Sequence, residues 1–122
     1  MDASLEMLRR GPVTLLKLHG PLDGSSAWSV RNAIEASPCD AFIIDLGAVE
    51  EFLEFGAAVL AAGIAPPRAR RVRVQGVTAE EARLLSSFGL ERIRVRPGLQ
   101  RAGIGRSLLP VANGPGALAQ PA

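Results

Sequence analysis

The chain has one cysteine, Cys39, one histidine, His19, one tryptophan, Trp28, and no tyrosine. A single thiol excludes a disulfide framework and a cysteine-based metal site, and it suits a reducing compartment. A single imidazole leaves no Ser/His/Asp or Cys/His set for nucleophilic catalysis. With no tyrosine and only four phenylalanines beside Trp28, the stacking surface of a single-strand nucleic-acid reader is missing. The net charge of +2 is too small to recruit nucleic acid by bulk electrostatics. Long apolar runs are absent too: the stretch from Phe52 to Pro67 holds a charge, two glycines and terminal prolines, and cannot span a bilayer. Met1 to Arg10 mixes two acids and two arginines with its apolar residues, unlike a signal peptide. These absences predict a cytoplasmic, non-enzymatic protein with no cofactor, no nucleic-acid partner and no direct membrane insertion.

What is present suits one compact domain. The 122 residues are 48% apolar and 21% charged, enough for a buried core. Arginine outnumbers lysine thirteen to one, a bias that a GC-rich genome accounts for. No acid follows Glu91, whereas five arginines do.

Leu5–Arg9 and Val13–His19 flank Gly11-Pro12 and read as two strands joined by a tight turn, the second ended by Gly20-Pro21. Asp23 to Ser26 is rich in N-cap residues, and Ala27, Val30, Ala33 and Ile34 then keep helical spacing as far as Pro38. Phe42 to Leu46 is apolar up to its aspartate, as in a central strand. A loop of about six residues leads to a helix over Phe55–Ile64, stopped by Pro66-Pro67. Arg71–Val77 alternates as a half-covered strand. Thr78 and Glu81 have capping-box spacing, with Ala82, Leu85 and Phe88 as the apolar stripe and Gly89-Leu90 as a Schellman ending. Arg92–Arg96 is the last strand. The expected fold is α/β: a sandwich with a mixed, mostly parallel sheet of about five strands and helices mainly on one face. The domain is drawn at residues 1–96, followed by a Gly/Pro/Ala-rich tail at 97–122 in which Leu108, Leu109 and Val111 are candidates for docking. Gly103-x-Gly105 is a weak glycine signal, since it follows no clear strand and precedes no P-loop lysine.

The passage from Phe42 to Gly56 carries the functional expectation. A strand hands the chain to a helix start, where unpaired N–H groups and the positive dipole end favour an anion, and Glu54 stands there. Glu50, Glu51 and Glu54 alternate with Phe52, Leu53 and Phe55. No histidine, asparagine or further aspartate joins the acids at ligand spacing, so a partner surface is favoured over a metal site. Core burial competes with an anchoring role for both Phe52 and Phe55.

These segments together resemble the STAS domain family of bacterial anti-sigma factor antagonists and sulfate transporter tails. Leu18-x-Gly20-x-Leu22-Asp23 is similar to the family's first turn, and Asp45-Leu46-Gly47-Ala48-Val49 to its strand-ending Asp-Leu-Ser-Gly-Val. Gly56 falls on the glycine after the phosphorylation site, and Leu84-Leu85-x-x-Phe88-Gly89-Leu90 resembles the closing helix and Gly-Leu. The match runs from about Val13 to Val95. The resemblance implies a signalling module that binds a protein partner, such as an anti-sigma factor kinase, through Asp23, Glu50, Glu51, Phe52, Leu53, Glu54, Phe55 and Gly56. It puts Glu54 at the phosphoacceptor position, where relatives carry Ser or Thr; no hydroxyl is available there. Phosphoserine brings about −1.5 to −2 charges and glutamate −1. Three readings stay open: imitation of the phosphorylated state, a scaffold whose surface no longer switches, and a plain helix-start residue. The resemblance also leaves open the STAS subunit of a lipid-transport ABC system, a nucleotide- or anion-binding STAS domain, and a homodimer. For anions the candidates are Arg71, Arg73, Arg92, Arg94 and Arg96, which alternate along two strands and would form a ribbon on the uncovered sheet face. Solubility and edge protection account for the same pattern.

Overall fold

The computed structural model describes residues 3–64 and 71–106. Pro66-Pro67 and the apolar residues Leu108, Leu109 and Val111 lie outside that range. The elements run β1 (Ser4–Arg10), β2 (Val13–Leu22), α1 (Gly24–Ala36), β3 (Ala41–Asp45), β4 (Val49–Phe52), α2 (Glu54–Ile64), β5 (Arg71–Val77), α3 (Ala79–Ser87) and β6 (Ile93–Val95). The main sheet has the order β1-β2-β3-β5-β6, and β4 pairs with the far end of β2. Only β1 and β2 are antiparallel, closed by Gly11 in the left-handed region at φ 59°. The other pairings are parallel, as strands separated by helices require.

The two faces of the sheet differ. In β2, Thr14, Leu16, Leu18, Gly20 and Leu22 are buried while the intervening residues are half-exposed. Phe42 and Ile44 in β3 and Val74 in β5 continue the buried face. Ala27, Val30 and Ile34 of α1, Ala57, Leu60 and Ala61 of α2, and Leu85 of α3 belong to the same core cluster. Each large aliphatic or aromatic side chain so buried contributes about 1.5–3 kcal/mol. Cys39 fills a buried position, and its thiol titrates below its ordinary range, chiefly because Thr14 hydrogen-bonds to it.

Three expectations need correction. Gly20-Pro21 does not end β2. Gly20 takes φ 90°, and with a register shift at Gly20/Pro21 the strand leaves β3 and goes on to pair with β4 as far as Leu22. The expected loop before α2 is in part that short strand β4, which sequence alternation could not reveal because its middle residues, Glu50 and Glu51, are both exposed. The last strand is also shorter than Arg92–Arg96, spanning Ile93–Val95.

The ending of α3 has the Schellman geometry. The Leu90 N–H donates to the Leu85 carbonyl at 3.2 Å, the Gly89 N–H donates to the Ser86 carbonyl at 3.0 Å, and Gly89 has φ 103°.

Candidate functional site

Three segments meet at the start of α2: the end of β4, the end of β2, and the segment that carries Gly105. Glu54 is the first residue of α2 and is half-buried. The helix begins when the Ala57 N–H donates to the Leu53 carbonyl at 3.0 Å, which makes Leu53 the N-cap. Leucine offers no side-chain acceptor. The Glu54 N–H instead donates to the Gly105 carbonyl at 2.7 Å, and the Gly105 N–H donates to the Phe52 carbonyl at 2.8 Å. Leu53 and Gly105 thus form a parallel bridge.

The residues proposed for partner contact separate on burial. Glu50 and Glu51 are exposed on β4, and Leu53 is half-buried against Gly105. Phe55 is 37% exposed, and its ring lies over Gly24 at the start of α1. Asp23 is the N-cap of α1: its carboxylate accepts the Ser26 N–H at 2.8 Å, and the Ser26 hydroxyl accepts the Asp23 N–H at 3.0 Å. Phe52 is a core residue, 1% exposed, and belongs to the same buried cluster as Leu60 of α2; it cannot serve as a surface anchor. Gly56 is buried as well. A Cβ there would lie 2.3 Å from the Leu22 carbonyl oxygen and 2.8 Å from the Asp23 Cα. The close approach that the glycine allows is to the chain's own backbone rather than to a partner.

The sequence reading gave no role to Arg101. Its side chain is 4% exposed, and all five of its N–H donors are used. Nε donates to Glu81 Oε2 at 2.8 Å, and one terminal nitrogen donates to Glu81 Oε1 at 2.9 Å and to the Gly76 carbonyl at 3.1 Å. The other donates to the carbonyls of Leu46 at 3.1 Å and Val49 at 2.6 Å. The guanidinium also lies 5.8 Å from the Phe52 ring centroid. Glu81 is itself 2% exposed, and the same Oε1 accepts the Thr78 N–H at 3.0 Å to complete the capping box of α3. A buried bidentate pair with every lone donor satisfied fixes geometry strongly. Here it ties the β3–β4 turn, the end of β5 and the first turn of α3 to one side chain. Gly76, at φ 75°, permits this crowding, since a Cβ there would lie 2.5 Å from the Gly47 nitrogen. The boundary drawn at residue 96 therefore falls just before a segment that packs on the domain; residues 107–122 lie outside the described range. An arginine buried ten residues after the last acid left no local signal, because its partners are remote carbonyls and a carboxylate twenty positions away.

The arginine ribbon is divided. Arg71, Arg73 and Arg92 line one shallow depression with Val13, Ala41, Phe42 and Ile43. Arg94 and Arg96 line another with Asp45, Gln75 and Gly76. The β5–β6 register sets Arg94 beside Gln75, whose amide reaches Asp45 at 3.4 Å. Arg73 Nε is buried and meets no acceptor among the described residues. His19 bonds to Glu6 at 3.2 Å on the exposed β1–β2 edge, a surface contact. Among the described residues no cluster of His, Cys, Asp or Glu is arranged to hold a metal ion, and no helix is long and apolar enough to cross a membrane.

No protein-family model matches the sequence, and no curated protein matches it. Solved structures do. A serine-to-glutamate variant of RsbS from Moorella thermoacetica superposes with a TM-score of 0.57 at 18% identity, over 78% of this chain and 89% of that one. A chain from the structure of the stressosome, described as a signal integration and transduction hub, superposes with a TM-score of 0.52 at 14% identity, over 77% of this chain and 90% of the other. With the element order, the mixed sheet and the strand-to-helix handover at Glu54, these likenesses establish that the protein folds as a STAS domain.

Proposed function

We propose that the protein is a non-enzymatic bacterial signalling module of the RsbS kind. It binds a protein partner in the cytoplasm through the exposed acids of β4 and the start of α2. The observation that carries this reading is Glu54 as first residue of α2, half-exposed and following closely in the chain after the exposed Glu50 and Glu51 of β4. A carboxylate there is favoured by the helix dipole by about 0.3–1 kcal/mol and presents a charge that no phosphatase removes. Glu50 and Glu51 orient the partner and reject acidic competitors, while Leu53 and the exposed part of Phe55 supply apolar contact. Asp23 supports the site from beneath by starting α1 next to the Phe55 ring. A partner with basic rim residues, such as an anti-sigma factor kinase, fits this surface. The RsbS structure that superposes on this chain likewise carries a glutamate introduced in place of a serine.

The test is quantitative affinity capture with the native chain and the Glu54→Ser and Glu50→Lys variants. The reading expects a defined partner to be lost with Glu50→Lys and reweighted with Glu54→Ser. Equal recovery of every partner by all three chains overturns it. A second reading, anion binding at Arg71, Arg73 and Arg92, is favoured by the unaccepted Arg73 Nε. Titration with inorganic phosphate, read by the arginine side-chain NMR signals, decides it: no saturable shift at Arg73 removes this reading.

A further inference from the structure

The segment that closes the site is held in two unlike ways. Arg101 is clamped by five hydrogen bonds in a buried setting. Ala102 and Gly103 are exposed. Among the described residues after them, 104–106, the backbone makes two hydrogen bonds to the rest of the protein, both through Gly105, and Ile104 packs half-buried on the core. Those two bonds complete the outer edge of the β4 strand, whose other edge is taken by β2, and they satisfy the first amide of α2. Gly105 thus behaves as a one-residue strand added to an open edge, hinged at a fixed point four residues earlier.

We propose that Ile104-Gly105-Arg106 is a displaceable latch over a strand-addition site, and that the site accepts an extended, basic segment of a partner protein in the latch's place. The chemistry of the occupant follows from what the latch shows. Its backbone must offer an N–H to the Phe52 carbonyl and a carbonyl to the Glu54 N–H, in parallel register. A small residue belongs at the position of Gly105, where a Cβ would lie 2.6 Å from Leu53 Cδ2, the far end of a flexible side chain that can turn aside. A basic residue belongs next: the exposed Arg106 follows the Leu53–Gly105 bridge just as Glu54 follows Leu53 at the start of α2, and Glu50 and Glu51 are exposed on β4. An apolar residue before them replaces Ile104 on the core. The buried clamp keeps the β3–β4 turn in place while the latch opens, so the site stays formed when it is empty. The inference rests on reading residues 50–56 as the partner face; its test does not, so failure of the capture experiment and failure of the latch are told apart.

The test is amide hydrogen exchange on the full chain. The Glu54 and Gly105 amides are expected to exchange together by local opening, at least about tenfold faster than those of Leu46 and Val49, whose carbonyls Arg101 holds. Gly105→Pro removes the donor to Phe52 and is expected to abolish Glu54 protection while leaving that of Leu46 and Val49 intact. An excess of a synthetic peptide with the sequence of residues 102–109 is then expected to restore it, and the same peptide with glutamate at the arginine is not. Should Gly105→Pro fail to fold, Ile104→Ser serves the same comparison. Exchange of Glu54 as slow as that of Leu46, protection that survives the latch variant, or equal protection by both peptides or by neither overturns the proposal.

Discussion

The helices α1 and α3 begin in one way and α2 in another. Asp23 and Ser26 start α1, and Thr78 and Glu81 start α3, by reciprocal caps made between residues three apart. The start of α2 has no such pair. Its N-cap is Leu53, and the acceptor for its first amide comes from Gly105, in a segment anchored by Arg101. A helix that caps itself can form as soon as its own turn closes. A helix capped from a distance is completed only when the rest of the domain is assembled. That difference keeps the first turn of α2 free of a capping side chain, and it makes the candidate interaction site depend on the far end of the described chain.

The comparison is broken hardest at the anchor. Arg101→Ala leaves the Glu81 carboxylate buried without its counter-ion and takes the guanidinium donors from the carbonyls of Leu46, Val49 and Gly76, and should cost about 3–5 kcal/mol in urea unfolding. Replacing both partners, as in Arg101→Met with Glu81→Leu, should recover a large part of that loss, because no charge is then stranded. A double variant as unstable as Arg101→Ala would show that the carbonyl contacts, rather than the ion pair, dominate. Next comes Gly56→Ala, which drives a Cβ into the Leu22–Asp23 backbone. It should cost about 1–3 kcal/mol, seen as a lower thermal midpoint, since α2 must move away from the end of β2.

Breaking a local cap should matter less. Thr78→Ala and Asp23→Ala are each expected to lose about 0.5–2 kcal/mol. If Thr78→Ala costs as much as Arg101→Ala, the distinction between self-capped and remotely capped helices fails. Smallest is the ribbon: Arg94→Gln, at an exposed position on β6, should stay within about 0.5 kcal/mol of the native chain by the same unfolding measurement. Arg94 and Arg101 are the same residue type seven positions apart, and only the second is held by the fold.

Much of the architecture was legible because it is written in short-range patterns. Alternation in β2, helical spacing of Ala27, Val30 and Ile34, the Thr78/Glu81 box and the Gly89 ending each depend on residues a few positions apart. Glu54 was placed at its helix start for the same reason. The candidate site was legible only in part. Phe52 and Phe55 look alike in sequence, yet the path of β4 buries one and leaves the other 37% exposed over Gly24. Gly56, counted with the partner-binding residues, is room for Leu22 and Asp23. Glu81 was recognisable as a cap but not as the counter-ion of a buried arginine.

The sequence by itself determined the order of strands and helices apart from β4, the two self-capped starts and the charge at the mouth of α2, because neighbouring residues settle those by their own periodicity and hydrogen-bonding chemistry. Only the tertiary structure decided which face of the β3–β4 region meets solvent, and that residues 97–106 return to finish the site. Burial and long-range pairing depend on what the folded chain brings alongside a residue, and an arginine among glycines has no local partner from which its destination can be read.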